Sequence, residues 1–479
     1  MKRSAPMTPI TSRGMAMVTA VVSLVAVAVI AGSVTAAAVP VNGKHAGATV
    51  MHMHHSIEAA AHVVDFAKVG GVANDKSLSV AQANSKLMNT TLASLAPGDT
   101  LLIPNTTFWL MGGIYATGIR DVVIQIDGTL AYLDDMKAWP RHPDGRVFEC
   151  MHLENVDNIT ITSSGMGTID GHGSAWWGAV EYLLIGENRP KMLYIHNASQ
   201  LLFEHILFKN SPYYHVMAED VEDVVIRYCD VDARRTDRPY HDLFDLTAFN
   251  TDGFDVAGKN VHIHDCNIWN DDDCIAVKQQ TGDSIRSPCS ENMLFERINA
   301  SGVGLTIGSI GASLAHTCVR NITFRDSVMH NTFKGIYMKS RPEDDPATGS
   351  ISDVLYENIT IYNPTQWAIW IGPQQAGYKH ACSLLWPEDP IAKCPVPSNM
   401  HWHNIVLRDI VVYDPLWSPG VILGNSTKPM EAIAFDNVKV VNPGVYPWGD
   451  KYYKCKGVAN STATHGTNPI PPCFDHHTN

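Results

Sequence analysis

From about Val63 onward, apolar and polar positions alternate in short runs of strand length that recur down the chain. One series reads "RDVVIQIDG", "DNITITSSG", "SQLLFEHIL", "EDVVIRYCD", "KNVHIHDCN", "ENMLFERIN", "RNITFRDSV", "SDVLYENIT", "HNIVLRDIV" and "EAIAFDNVK". A second series interleaves with it: "GFDVAG", "CIAVKQ", "GLTIGS", "GIYMKS", "AIWIGP" and "GVILGN". The period is roughly 20–40 residues, the range of solenoid repeats. Helical segments between successive strands are missing, which excludes a doubly wound sheet or a barrel with crossover helices. Short strands that return once per coil predict an all-β fold, a right-handed parallel β-helix. One coil cannot bury its apolar face alone; coils stacked about 4.8 Å apart build a continuous core. The stretch "NDKSLSVAQANSKLMNTTLASL" predicts a short amphipathic helix, capped by Asn74 or Asp75, that covers the open N-terminal end.

The first residues follow another pattern. Lys2, Arg3 and Arg13 precede the uncharged stretch "GMAMVTAVVSLVAVAVIAGSVTAAAVP", which ends in small residues. Residues 1–38 read as a signal peptide cleaved near Ala38, and the length of the apolar run also fits an uncleaved anchor. Residues 39–61 read as a linker carrying His45, His52, His54 and His55, and residues 62–479 as a single β-helix domain. Export agrees with the nine N-x-S/T sequons at Asn89, Asn105, Asn158, Asn197, Asn299, Asn321, Asn358, Asn425 and Asn460. The ten cysteines, an even number, make disulfides the default in that context. Cys382 with Cys394, and Cys455 with Cys473, are the sequence-local pairs. Cys229 and Cys266 hold the same repeat position on successive coils, either bonded or stacked as thiols. The net charge of −13 argues against nucleic acid or an anionic membrane as the main partner.

Candidate chemistry gathers on the second series. "NTDGFD" (Asn250 to Asp255) and "NDDDCIAVK" (Asn270 to Lys278) each immediately precede a strand of that ladder on neighbouring coils. Stacking therefore brings Asp252, Asp272 and Asp273 onto one surface, with Lys278 and Lys339 on following strands and Arg341 just past the latter. Adjacent carboxylates disfavour one another's ionisation. A rigid group of them suits glycoside hydrolysis, where one stays protonated to serve the leaving oxygen and another activates water or attacks. The same pattern also fits a polar stack at solenoid turns, or calcium binding.

Several stretches, in order, resemble glycoside hydrolase family 28, the polygalacturonase family. They are "GTIDGHGSAWW", "RPKMLYIHNASQLLFEHILFKNSP", "NTDGFD", "NDDDCIAVK", "GVGLTIGSIG" and "GIYMKS", and the resemblance spans roughly Val63 to the Asn425 region. It implies a pectin-lyase-like β-helix and hydrolysis of a galacturonic-acid-containing pectin backbone with inversion, by a secreted monomer that needs no cofactor or metal. It makes Asp272 the general acid and Asp252 with Asp273 the pair that activates water. Asn250, Lys278, Tyr337, Lys339 and Arg341 become substrate-binding candidates, and Cys274–Cys289 a disulfide. The expected partner is an acidic plant-type polysaccharide.

Two departures bear on the substrate. Val303 stands where the third motif carries histidine, and Tyr337 stands where the fourth carries arginine. The tyrosine removes a charged fork and offers a stacking face and a hydroxyl. A rhamnogalacturonan hydrolase, a carbohydrate-binding homologue without catalysis, and a β-eliminating lyase on a similar fold are the rival readings. Weaker candidates are the basic insertion with Arg234, Arg235 and Arg238, the trio Tyr213, Tyr214 and His215, and Trp367 with Trp370 as sugar platforms or core. Asp271, where the family more often has Gln, either raises the pKa of Asp272 or faces solvent.

Overall fold

Alternating burial along each strand is the local rule from which the architecture follows. In Leu193–Glu204, for example, Leu193, Ile195, Ala198, Leu201 and Phe203 are buried while the intervening positions are partly exposed. A strand with one apolar face must stack that face against another layer. The computed structural model describes residues 62–177, 188–233, 248–280, 282, 284–311, 316–341, 348–373 and 396–477.

Within these residues each strand pairs in parallel with the equivalent strand one coil further on. Met151–Thr162 pairs with Leu193–Glu204, which pairs with Val216–Arg227, which pairs with Phe254–Trp269. The series continues through Cys289–Ser301, His316–His330, Thr348–Tyr362, Met400–Tyr413 and Met430–Val441. The interleaved series forms its own ladder through Asp273–Val277, Gly304–Ile310, Ile336–Ser340, Ile369–Pro373 and Gly420–Leu423. This is a right-handed parallel β-helix, and one hydrophobic core runs through its coils.

The corners between strands explain the abundance of asparagine. Asn155, Asn158, Asn197, Asn260, Asn292, Asn321, Asn358 and Asn404 all hold φ between 52° and 57°. Left-handed backbone suits Asn better than any other residue with a Cβ, apart from Asp in the same role. Their side chains form files along the axis. Asn260 Nδ2 donates to Asp223 Oδ1 at 2.9 Å, Asn292 Nδ2 to Asn260 Oδ1 at 3.3 Å, and Asn321 Nδ2 to Asn292 Oδ1 at 2.8 Å. Several sequons therefore sit at positions that the corners require for backbone reasons.

The helix spans Leu78–Ser94, and Ser77 occupies its N-cap. This corrects the sequence expectation: Asn74 adopts left-handed φ one turn earlier, and the Asp75 carboxylate accepts from Ser77 N at 2.8 Å. The helix covers the first coil by satisfying its exposed backbone. Asn84 accepts from Val72 N at 2.9 Å and donates to the carbonyls of Val72 and Trp109, while Ser85 pairs with both N and O of Met111. Asn89 does the same for Gly113 O and Tyr115 N. An open sheet edge is thereby closed by side-chain amides.

Cysteine pairing differs from expectation at one place. Cys289 bonds to Cys318, not Cys274. The parallel register sets Cys289 directly beside Cys318 on the next coil, with Cα atoms 4.6 Å apart. Cys274 is a buried thiol beneath the other ladder, 3.5 Å from Asn270 Oδ1. Cys455 is bonded to Cys473. Cys229 and Cys266 are buried thiols and not a disulfide. Cys382 and Cys394 lie outside the described residues, as do Arg234, Arg235 and Arg238.

Candidate active site

Two turns on adjacent coils are locked together before any catalytic side chain is considered. Asn270 Nδ2 donates to Thr251 O and to Asp273 O, both at 2.9 Å. Asp271 N donates to Thr251 Oγ1 at 3.0 Å, and Gly253 N to Asp273 O at 2.9 Å. A Cβ on Gly302 would stand 2.2 Å from Asn270 Oδ1, so glycine there lets the next coil close against the turn. The turn carrying Asp252 is thus fixed against the turn carrying Asp272.

Carboxylate oxygens of Asp252, Asp272 and Asp273 lie within 4.8 Å of one another, and the three residues are 2%, 6% and 1% exposed. Asp272 Oδ2 accepts from Asn250 N at 3.1 Å and from its Nδ2 at 3.3 Å, and Oδ1 accepts from Asp273 N at 2.8 Å. Asp273 accepts from Thr306 Oγ1 at 2.8 Å and from Lys339 Nζ at 2.9 Å. A fourth carboxylate, Asp255, is fully buried beside them. Lys278 Nζ lies 3.2 Å from Asp255, 3.6 Å from Asp252 and 3.8 Å from Asp273.

Burial and mutual repulsion set the protonation of this group. Burial, reinforced by Asp255 and Asp272, pushes Asp252 well above the usual carboxylate range. Burial pushes Asp255 to about 7, with Lys278 opposing it. Asp272 is pushed to about 6, by burial first and then by the charge of Asp273. For Lys278 and Lys339 burial alone would favour the neutral amine, but the surrounding carboxylates outweigh it and hold both ammonium ions above their ordinary range. Four carboxylates face two ammonium ions, so protons stay on the cluster at mildly acidic pH. The oxygens form a hard donor set, yet the ammonium ions of Lys278 and Lys339 already stand where a divalent cation would contribute its charge.

The structure gathers Asp252, Asp272, Asp273, Asn250, Lys278, Lys339 and Tyr337 in one place. Lys339 Nζ rests 4.4 Å from the Tyr337 ring centroid. Arg341 is exposed just past its strand and runs alongside Gly311. His215 is buried under the Asp252 turn, its Nδ1 3.0 Å from Asp252 O and its Nε2 accepting from Ser211 N at 3.2 Å. Burial pushes it down to about 4, so it is a neutral prop for the turn. Trp367 and Trp370 are core, in a second buried cluster with Tyr337, Val303, Val421 and Leu423.

Sequence reasoning missed Asp255, Thr306 and Lys334. Asp255 stood inside "NTDGFD", and its place directly after the inward Phe254, in a strand whose side chains alternate, marks it as outward-facing on the same ladder. Lys334 is fully buried, donates to Gln366 Oε1 at 2.7 Å and lies 4.6 Å from the Tyr337 ring centroid. Burial, with Lys339 adding repulsion, pushes its ammonium down to about 7. The sequence gives no sign that the lysine of "TFKG" points inward.

The sequence profile of glycosyl hydrolases family 28 matches residues 99–464. The chain belongs to this family. Among its family 28 relatives, endopolygalacturonase I of Aspergillus niger is 32% identical over 218 residues, covering 45% of this chain and 52% of the relative. Endopolygalacturonase B of Aspergillus flavus is 34% identical over 213 residues, covering 43% and 51%. The matched segments thus span about half the length of these relatives. Solved structures share the fold. A family 28 exopolygalacturonase of Yersinia enterocolitica has a TM-score of 0.62 at 15% identity, over 88% of this chain and 78% of that one. The endo-xylogalacturonan hydrolase of Aspergillus tubingensis has 0.57 at 22% identity, over 86% and 98%.

Proposed function

We propose that this family 28 chain is a secreted hydrolase of a galacturonic-acid-containing pectin backbone, with Asp272 as general acid. The observation that carries this reading is one buried cluster that keeps a proton on Asp272 beside the Lys339-paired carboxylate of Asp273. The protonated Asp272 donates to the glycosidic oxygen as the bond breaks. Asp273 and Asp252 hold the attacking water between them, and Asp273, paired with Lys339, takes its proton. Lys278 and Lys339 offset the charge of the cluster and, at its rim, that of a uronate. The names of the Aspergillus relatives point to the same polymer, and the two disulfides among the described residues agree with an extracellular setting.

Inversion is the stereochemistry that we propose from the family resemblance. The closest carboxylate oxygens are nearer than the separation of ~6.5–9.5 Å usual for an acid and base with water between them. The first-formed product anomer, read by NMR, therefore decides between inversion and a covalent intermediate on Asp252 or Asp273. Tyr337, buried against Lys339 where the family carries arginine, leaves that position without a charged fork and favours rhamnogalacturonan as the second substrate reading.

Reducing-end release from polygalacturonate and rhamnogalacturonan, measured side by side, tests the proposal. Asp272→Asn should lower release by at least ~100-fold. Equal release by the variant removes Asp272 from catalysis, and an unsaturated, absorbing product would mean elimination. Silence of the unaltered protein on both polymers would leave a carbohydrate-binding homologue.

A further inference from the structure

The ladder that carries Asp255 continues toward the N-terminal end as an outward column of aromatic rings. Parallel register aligns Asp255 with Met217, then Tyr194, His152 and Tyr115 on successive coils. The His152 ring lies 4.7 Å from that of Tyr194 and 5.3 Å from that of Tyr115, centroid to centroid. Tyr115 is 43% exposed, and Tyr194 and His152 are partly exposed. Their polar ends are held by acids: Tyr115 Oη donates to Glu154, and Tyr194 Oη to Glu219 at 2.6 Å. The third acid alongside, Glu149, is paired with Lys191 at 2.9 Å. His152 Nε2 is buried without a hydrogen-bond partner among the described residues.

We propose that Tyr115, His152 and Tyr194 form a platform for uncharged pyranose residues, two to four coils before the acid cluster. This deepens the functional reading above and rests on it. Coils repeat at about 4.8 Å, close to the length of one linked pyranose, so a polymer lying along the ladder sets about one sugar over each coil. Tyrosine faces suit the apolar face of a sugar ring. Three carboxylates stand beside them, and one ammonium, Lys191, lies 4.7 Å from the Tyr194 ring centroid while paired with Glu149; the net negative charge repels a uronate and tolerates a neutral residue. Burial of the His152 imidazole lowers its pKa, which keeps it a neutral ring between the two tyrosines. The two tyrosines lie on alternate coils, so a backbone that alternates neutral and acidic sugars would place a neutral residue on each.

The test measures affinity in an Asp272→Asn background, which separates binding from cleavage. The probes are rhamnogalacturonan and polygalacturonate oligomers of equal length. Adding Tyr194→Ala, or the more exposed Tyr115→Ala, should weaken rhamnogalacturonan binding about five- to tenfold and polygalacturonate less than about twofold. Glu154→Gln with Glu219→Gln should strengthen polygalacturonate binding. Equal losses on both polymers, no loss on either, or no binding of rhamnogalacturonan by the Asp272→Asn parent overturns the platform. Cleavage of polygalacturonate by the unaltered protein, with binding insensitive to both tyrosines, sinks this inference alone. Tyrosine-dependent binding without cleavage of either polymer sinks the hydrolase reading alone.

Discussion

Asp255 shows how much a single buried carboxyl can decide. Its proton is retained up to about pH 7, whereas in the unfolded chain it leaves near 3.8. The folded state therefore holds a proton that the unfolded state has lost, so stability falls as pH rises between those two values. Asp255→Asn should remove part of that loss, raising Tm at pH 8 by about 2–4 °C and changing it little at pH 4, as thermal scans at the two pH values would show. Asp272 sets an activity limit by the same reasoning: its acid form disappears above about 6, so kcat should fall on the alkaline side of that value. Asp252, Asp272 and Asp273 were legible because they lie beside strands whose period the sequence displays. Lys334 and the buried role of His215 were not, because side-chain direction at a corner depends on local φ that no periodicity records.

At the scale of elements, the helix Leu78–Ser94 matters less for its propensity than for the amides on its inner face. Asn84→Ala would leave Val72 N, Val72 O and Trp109 O without their partner at a covered edge. The expected cost is about 1–3 kcal/mol, read as a lower urea midpoint at unchanged slope. The existence of this helix followed from its 3.6-residue pattern, but its cap did not, since Asn, Asp and Ser crowd the same four positions. The Cys289–Cys318 bond illustrates a related limit. The two residues belong to equivalent positions on adjacent coils, and that equivalence appears only once the register is known. Family resemblance pointed Cys289 to Cys274, whose thiol faces the core under another ladder.

The whole molecule carries a net charge of −13 and, on the reading proposed here, acts on a polyanion. Long-range repulsion between them is screened as the Debye length shrinks from about 30 Å at 0.01 M to about 10 Å at 0.1 M salt. KM for polygalacturonate should therefore fall roughly two- to fivefold over that range, the reverse of what a basic polysaccharide binder would show. Fold class was the most legible property of the chain, because a solenoid repeats one local solution and each coil restates it. The insertions that break the repeat, such as the one carrying Arg234, Arg235 and Arg238, were not legible in the same way, because no neighbouring coil restates them.

The asparagine files at the corners run one way. Each amide described above donates to the coil before it, and a file begins on a carboxylate such as Asp223. Loss of ammonia from an interior rung such as Asn292 would turn its donor into an oxygen facing the Asn260 carbonyl oxygen, while the bond from Asn321 would survive. Such ageing damage would accordingly loosen each file from the N-terminal side of the altered rung and leave the C-terminal side intact.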